Sequence, residues 1–179
     1  DLDLLYTTCG KTSSFPSEIC TFCLNFSDFI MQISEAVFAE KRHIMIYGIG
    51  CDLCDTARMA KSLGGPHGST FAARVFGPAE REALGLSEGN SSPLSAHKAA
   101  SAAADFAAKE AFLKAAGTGL AGPFALCEIE AVRLESGAPE YRFSGGSAQW
   151  MDEHHLRAKL SLSHDGGMAL AFCILETET

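Results

Sequence analysis

The spacing of apolar and polar residues changes character near Met45. Residues 1–26 show no sustained period, and Ser27 is placed to cap a short amphipathic helix. After Met45 the chain becomes rich in alanine and glycine. Residues 1–44 are therefore interpreted as an N-terminal extension, either an appended, non-native segment or a genuine part of the protein. The domain itself is predicted to span residues 45–179.

Helical periodicity dominates the first part of this domain. Glycine and proline mark where segments begin and end, because neither continues a helix well. The predicted elements, in order, are a strand at 45–53, a helix from Asp55 or Thr56 to about Leu63, a loop at 66–70 leading to 71–76, a short helix from Pro78 to about Leu86, a turn or mobile loop at 88–92 and a long alanine-rich helix from Pro93 to Gly117.

The period changes from helical to alternating after Gly119. Strands are predicted at 126–134 and 140–143, a helix at 146–154 with Trp150 inward, and a hairpin of strands at 158–163 and 168–175. Helices followed by hairpin strands indicate an α+β fold, with an antiparallel sheet packed against the long helix. At 179 residues the chain is long enough for one domain with a real core.

Charge and hydropathy exclude several classes of function. The formal net charge of −8 argues against nonspecific nucleic-acid binding, which needs a basic surface. No apolar run approaches the ~18 residues that a membrane helix needs, and the N-terminus lacks the order of a signal peptide. A local basic stretch holds Arg58, Lys61, Arg74 and Arg81, offset mainly by Glu80 and Glu82. It is interpreted either as a surface that steers an acidic partner or as scattered charge.

The seven cysteines indicate reduced thiols in a cytoplasmic protein, because their number is odd and no signal peptide precedes them. Cys20-x-x-Cys23 and Cys51-x-x-Cys54 leave open a different class of function, a zinc-binding interaction module. The two pairs are farther apart than in the commonest zinc ribbons.

Asp52 and Glu110 are the candidate catalytic pair. Asp52 follows a strand with Gly48 and Gly50, and Glu110 lies one helical turn before Lys114. An ordinary solvated ion pair would also explain Glu110 and Lys114. Two carboxylates and a lysine suit phosphoryl-group chemistry, because Mg²⁺ takes one or two protein carboxylates and completes its shell with water and phosphate.

Five segments of the domain form an ordered set of motifs: Met45–Leu53 (MIYGIGCDL), Phe71–Phe76 followed by Glu80, Phe106–Gly119 (FAAKEAFLKAAGTG), Gly137-x-Pro139 and Leu160–His164 (LSLSH). In this order they resemble the motifs of the holo-acyl-carrier-protein synthases, a family of 4′-phosphopantetheinyl transferases. The resemblance covers essentially all of residues 45–179 and none of 1–44.

The resemblance implies a 4′-phosphopantetheinyl transferase-like fold and a magnesium-dependent transferase. The enzyme would move 4′-phosphopantetheine from coenzyme A to a serine of apo-acyl carrier protein, for fatty acid biosynthesis. The implied roles are metal ligands for Asp52 and Glu110, pyrophosphate contact for Lys114, coenzyme A contact for His164, and carrier-protein docking for Arg58. Gly117 is a candidate cofactor contact on other grounds, because a glycine turn lets a ligand approach the backbone, although a plain helix terminator would also explain it. We further hypothesise that Glu110 accepts the serine proton, directly or through a metal-bound water. Homotrimers with active sites at subunit interfaces are also implied.

One residue departs from the family pattern. Asp105 stands where an arginine associated with the nucleotide usually precedes Phe106. The substitution is expected to remove an attraction for coenzyme A and add a repulsion, unless another basic residue compensates. Two alternatives stay open: a carrier protein of a polyketide or secondary pathway, and a catalytically weak homologue that only binds coenzyme A.

Overall fold

The computed structural model describes residues 44–86, 94–119 and 122–178. The predicted helix that begins at Ser27, the turn at 88–92, Cys20 and Cys23 lie outside them. The elements are β1 (Ile44–Asp55), α1 (Thr56–Gly64), α2 (Gly68–Val75), α3 (Pro78–Leu84), α4 (Ala96–Ala115), a 3₁₀ turn (Leu126–Glu128), β2 (Ile129–Arg133), β3 (Pro139–Phe143), α5 (Gly145–Glu153), β4 (Leu156–Asp165) and β5 (Met168–Glu178).

The described residues form two antiparallel sheets. The larger has the strand order β1-β5-β4, and the smaller pairs β2 with β3. Asp52 lies opposite Ala171, and a bulge at Tyr47 interrupts the register of β1 against β5. Ala169, Ala171, Cys173 and Leu175 alternate along β5 and are buried, so these residues define the inner face of the larger sheet.

Helix α4 crosses the inner face of this sheet. Gly48 and Gly50 make a close approach possible: a Cβ atom at Gly48 would lie 2.0 Å from the carbonyl oxygen of Ala115, and one at Gly50 would lie 2.0 Å from that of Ala111. The alanines of α4 present little bulk, and nearly all of them are buried. The glycines of β1 and the alanines of α4 therefore bring the two backbones together.

An aromatic cluster fills the core on the other side of α4. Phe112 is fully buried, and the rings of Phe124, Tyr141, Phe143 and Trp150 surround it with centroid distances of 4.9–6.2 Å. Edge-on and tilted contacts of this kind stabilise beyond the area they bury. The predicted inward orientation of Trp150 is confirmed.

The predicted α+β architecture is confirmed, with corrections at two helix starts and at one strand, since the strand predicted at 126–134 begins only at Ile129, after the 3₁₀ turn. The long helix begins at Ala96, because the Ser95 side chain accepts a hydrogen bond from the Lys98 amide at 3.3 Å and so caps it. The predicted loop at 66–70 is too long, since α2 already begins at Gly68. Elsewhere Asp55 proves to be the cap of α1, accepting from the Arg58 amide at 2.9 Å.

Within the described part of the chain, no helix combines the length and the apolar character of a membrane span. The division into an extension at 1–44 and a domain at 45–179 stays a prediction.

Candidate active site

Asp52, Glu110 and Lys114 converge where β1 meets α4. Lys114 Nζ donates to Asp52 Oδ1 at 2.8 Å and to the Cys51 carbonyl oxygen at 2.8 Å. Asp52 faces α4 because its register partner Ala171 belongs to the buried inner face. The three side chains predicted from sequence are therefore neighbours.

The two carboxylates of this cluster outnumber its one ammonium group. Burial and the neighbouring Asp52 carboxylate raise the pKa of Glu110, although Lys114 partly counteracts them. The hydrogen bond to Asp52 raises the pKa of Lys114, which keeps its ammonium charged. One ammonium thus serves two carboxylates, and the cluster carries excess negative charge.

Glu110 Oε1 is buried and has no hydrogen-bond partner within the described structure. A buried carboxylate oxygen without a partner is costly, and a bound cation would satisfy it. No group of three or more His, Cys, Asp or Glu side chains that could hold a metal ion occurs in residues 44–86, 94–119 and 122–178. Two carboxylates suffice for Mg²⁺, whose remaining ligands are water and phosphate oxygens. The residues present therefore fit that ion.

His164 is not brought into this cluster within one chain. It lies exposed on β4 opposite Ala169, which in turn lies opposite Cys54 of β1. Two strand spacings therefore separate its strand from β1, about 10 Å in total. No described hydrogen bond or ion pair joins His164 to Asp52, Glu110 or Lys114. Its predicted role at the coenzyme A site stays a prediction.

Gly117 has a structural explanation of its own. Its φ of +73° is left-handed, and its amide donates to the Lys114 carbonyl at 3.1 Å just after α4 ends. Glycine is favoured there as a helix terminator. Contact with a ligand stays a prediction for this residue.

Three of the four basic residues of the stretch lie at the surface, whereas Arg81 is half-buried. Arg58 and Lys61 of α1 and Arg74 of α2 are exposed. Glu80, which was expected to offset them, is instead buried against Lys109. The surface charge around Arg58 is therefore more positive than the sequence count indicated.

Asp105 does not present an exposed negative charge to a nucleotide. Its carboxylate is buried, and Oδ1 accepts from Arg133 Nη2 at 3.0 Å. Burial raises the pKa of Asp105 to about 7, with Arg133 opposing the rise. The expected repulsion is offset inside the fold by Arg133, a residue that the sequence reasoning missed.

The structure gives no support to the zinc alternative at Cys51 and Cys54. Cys51 lies opposite Phe172 and is exposed, whereas Cys54 lies opposite Ala169 and packs toward the core. Residues three apart on a strand project from opposite faces, so these two thiols do not converge on one ion. The four described cysteines are free.

Lys109, immediately before Glu110, was given no role by the sequence reasoning. It is completely buried and forms a 2.7 Å ion pair with Glu80. Its position in the sequence could have indicated that it is buried. Phe106, Phe112 and Leu113 lie three or four positions away, on the same side of the helix. A lysine inside an apolar helical face needs a partner.

Comparison with known proteins bears on the whole of this region. The model of the 4′-phosphopantetheinyl transferase superfamily matches residues 48–173. The holo-[acyl-carrier-protein] synthase of Methylobacterium radiotolerans is 42% identical over 137 residues, which cover 74% of this chain and 94% of that protein.

Solved structures agree with the sequence match. The crystal structure of holo-[acyl-carrier-protein] synthase from Neisseria meningitidis has a TM-score of 0.61 at 33% identity, covering 74% of this chain and all of that one. The Bacillus anthracis holo-(acyl-carrier-protein) synthase, solved in complex with CoA (3′,5′-ADP), has a TM-score of 0.58 at 29% identity and covers 75% and 99%. The chain therefore belongs to the holo-[acyl-carrier-protein] synthase family of the 4′-phosphopantetheinyl transferase superfamily.

Proposed function

We propose that this chain transfers 4′-phosphopantetheine from coenzyme A to a serine of apo-acyl carrier protein, in support of fatty acid biosynthesis. The serine oxygen forms a bond to the β-phosphorus, and the pyrophosphate bridge breaks to release adenosine 3′,5′-bisphosphate. The observation that carries the proposal is the convergence of Asp52, Glu110 and Lys114 in a chain of this family. The cytoplasm is the proposed location, in keeping with the four free thiols.

Asp52 and Glu110 would hold magnesium in this proposal. Support comes from the partnerless Glu110 oxygen and from the two neighbouring carboxylates. When bound, the ion would neutralise charge on the pyrophosphate. Lys114, half exposed beside Asp52, supplies a further positive charge to the phosphate oxygens of the leaving nucleotide.

Glu110 is the proposed proton acceptor for the serine hydroxyl. Support comes from its position, because Glu110 lies beside Asp52 and Lys114 and one of its carboxylate oxygens has no protein partner in the described structure. Glu110→Gln is expected to abolish turnover even with saturating magnesium. Near-normal turnover of that variant would exclude the role.

Carrier docking is assigned to α1, where Arg58 and Lys61 are exposed one turn apart. An acidic partner surface would be attracted to them despite the net charge of −8 of the chain. Arg74, in the last turn of the following helix α2, is a further exposed basic residue.

We also propose a homotrimer whose active sites lie between subunits. The outer face of the larger sheet supports this, because Ile49, Leu53, Leu170 and Phe172 are large, apolar and 39–60% exposed. Apolar patches of this kind are typical of subunit interfaces. His164, which is separate from Asp52 within one chain, would then reach the site of a neighbouring subunit.

Incubation of the purified chain with coenzyme A, magnesium and apo-acyl carrier protein tests the reaction. Intact mass of the carrier should rise by one phosphopantetheine group, and Asp52→Ala should abolish the gain. Asp152→Ala, at an exposed carboxylate on α5, is the matched control and should retain it. Binding of coenzyme A without any mass gain would favour the homologue that only binds coenzyme A. Repeating the assay with polyketide carrier proteins distinguishes the pathways.

A further inference from the structure

The ammonium of Lys109 is fully enclosed by protein acceptors. Its side chain has no exposed surface, and Nζ donates to Glu80 Oε2 at 2.7 Å, to the Leu126 carbonyl at 3.2 Å and to the Ile129 carbonyl. The three donors of a lysine ammonium thus have three acceptors. Burying such a group is costly unless all its bonds are made, so its geometry is strongly specified.

Glu80 extends this network to two other elements. Its Oε2 accepts from the Gly77 amide at 2.8 Å, before α3, and its Oε1 accepts from the Ala131 amide of β2 at 2.8 Å. Lys109 and Glu80 therefore tie α4 to α3 and to β2 of the smaller sheet.

The next residue along α4 is Glu110, which faces the active site. Neighbouring helix positions differ by about 100° in direction, so Lys109 points into the network while Glu110 points toward Asp52. Gly48 and Gly50 hold the backbone of α4 against β1 near Ala111 and Ala115. A rotation that moved Glu110 would have to break the Lys109 bonds.

We infer that Lys109, held by Glu80, is a positioning residue that sets the direction of Glu110 toward Asp52 and thereby the affinity for the metal ion. The inference rests on the proposed function, in which Asp52 and Glu110 hold that ion. A role in stability alone would lower the free energy of unfolding without changing metal binding in the folded protein.

A titration of the full chain with Mn²⁺ separates these roles. The electron paramagnetic resonance signal of the free ion measures how much Mn²⁺ is bound. Outer partners of metal ligands commonly change affinity 10–100-fold, so Lys109→Met should weaken Mn²⁺ binding by about tenfold or more. Glu80→Gln is the second variant, since it keeps the size of the side chain and some of its hydrogen bonds. Leu156→Ala, a core truncation on β4, is the control for lost stability and should bind Mn²⁺ normally.

Wild-type affinity in folded Lys109→Met or Glu80→Gln would overturn the inference, as would equal weakening by Leu156→Ala. Asp52→Ala tests the proposed site separately. If it left Mn²⁺ binding unchanged, the metal site itself would be wrong, and the positioning role would be rejected with it.

Discussion

Lys114 Nζ lies 2.8 Å from Asp52 Oδ1, although the two residues are 62 positions apart in the chain. The pair joins the end of α4 to the end of β1 and leaves Lys114 51% exposed. An ion pair this exposed contributes about 0–1 kcal/mol to stability. Its position beside Glu110 is therefore better explained by chemistry than by folding.

Lys114→Met should consequently separate activity from stability. We expect kcat to fall about 100-fold, the usual effect of removing one charge-stabilising group from an active site. The midpoint of urea unfolding should change little. Initial rates of holo-carrier formation, measured by intact mass, provide the first quantity. Arg142→Met, which removes one exposed positive charge on β3, is the matched control and should leave kcat unchanged. An equal loss in both variants would contradict the assignment of Lys114.

Gly50→Ala should destabilise the domain by about 2 kcal/mol or more, because overpacking forces the backbones apart. The added Cβ would lie 2.0 Å from the Ala111 carbonyl oxygen and 2.7 Å from the Ala115 amide nitrogen. Gly64→Ala is the control, since nothing lies within 4 Å of its Cβ position. Urea denaturation of both variants measures the difference. Equal stability would show that α4 does not depend on close packing against β1.

These packing relations explain which features the sequence predicted. Periodicity and glycine placement identified β1, α3, α4 and the final hairpin, because local patterning determines those elements. The candidate trio was predicted because Glu110 and Lys114 are one helical turn apart and Asp52 ends a strand. The Asp105–Arg133 and Lys109–Glu80 pairs were missed because they join residues 28 and 29 positions apart across the fold. No local period encodes contacts of that kind.

Arg58→Glu should weaken carrier binding by about tenfold at low salt and reduce its salt dependence, because long-range attraction is screened by ions. KM for the apo-carrier protein, measured between low and high salt, gives both effects. Arg142→Glu, at an exposed arginine of β3, changes the net charge equally and should have little effect. If both reversals raised KM alike, net charge rather than a surface on α1 would attract the carrier.

Asp105 should make stability depend on pH. Burial raises its pKa to about 7 in the folded chain, against an ordinary value of 3.8. Between these values the unfolded chain loses the proton while the folded chain retains it, so stability falls as pH rises toward 7. Relative to Asp105→Asn, the free energy of unfolding of the wild type should fall by on the order of 2 to 4 kcal/mol across that range.

Urea unfolding of the wild type and Asp105→Asn at intervals between pH 4 and pH 8 measures this loss. Arg133 lowers the pKa of Asp105, so Arg133→Met should raise that pKa further. The decrease of stability with rising pH should then continue above pH 7. A wild-type stability that stayed parallel to that of Asp105→Asn at every pH would refute the prediction.

Mixed trimers should recover activity from two inactive chains if His164 serves a neighbouring subunit. Asp52→Ala and His164→Ala are each expected to lose most activity as pure trimers. Refolded together in equal amounts, they should form intact sites wherever Asp52 of one subunit meets His164 of the next, about one quarter of all sites. Rates of holo-carrier formation before and after mixing measure the recovery. Asp52→Ala mixed with Glu110→Gln is the control and should recover nothing, because Asp52 and Glu110 belong to the same chain's cluster. No recovery in the first mixture, with trimers demonstrated by mass, would place His164 outside the shared site.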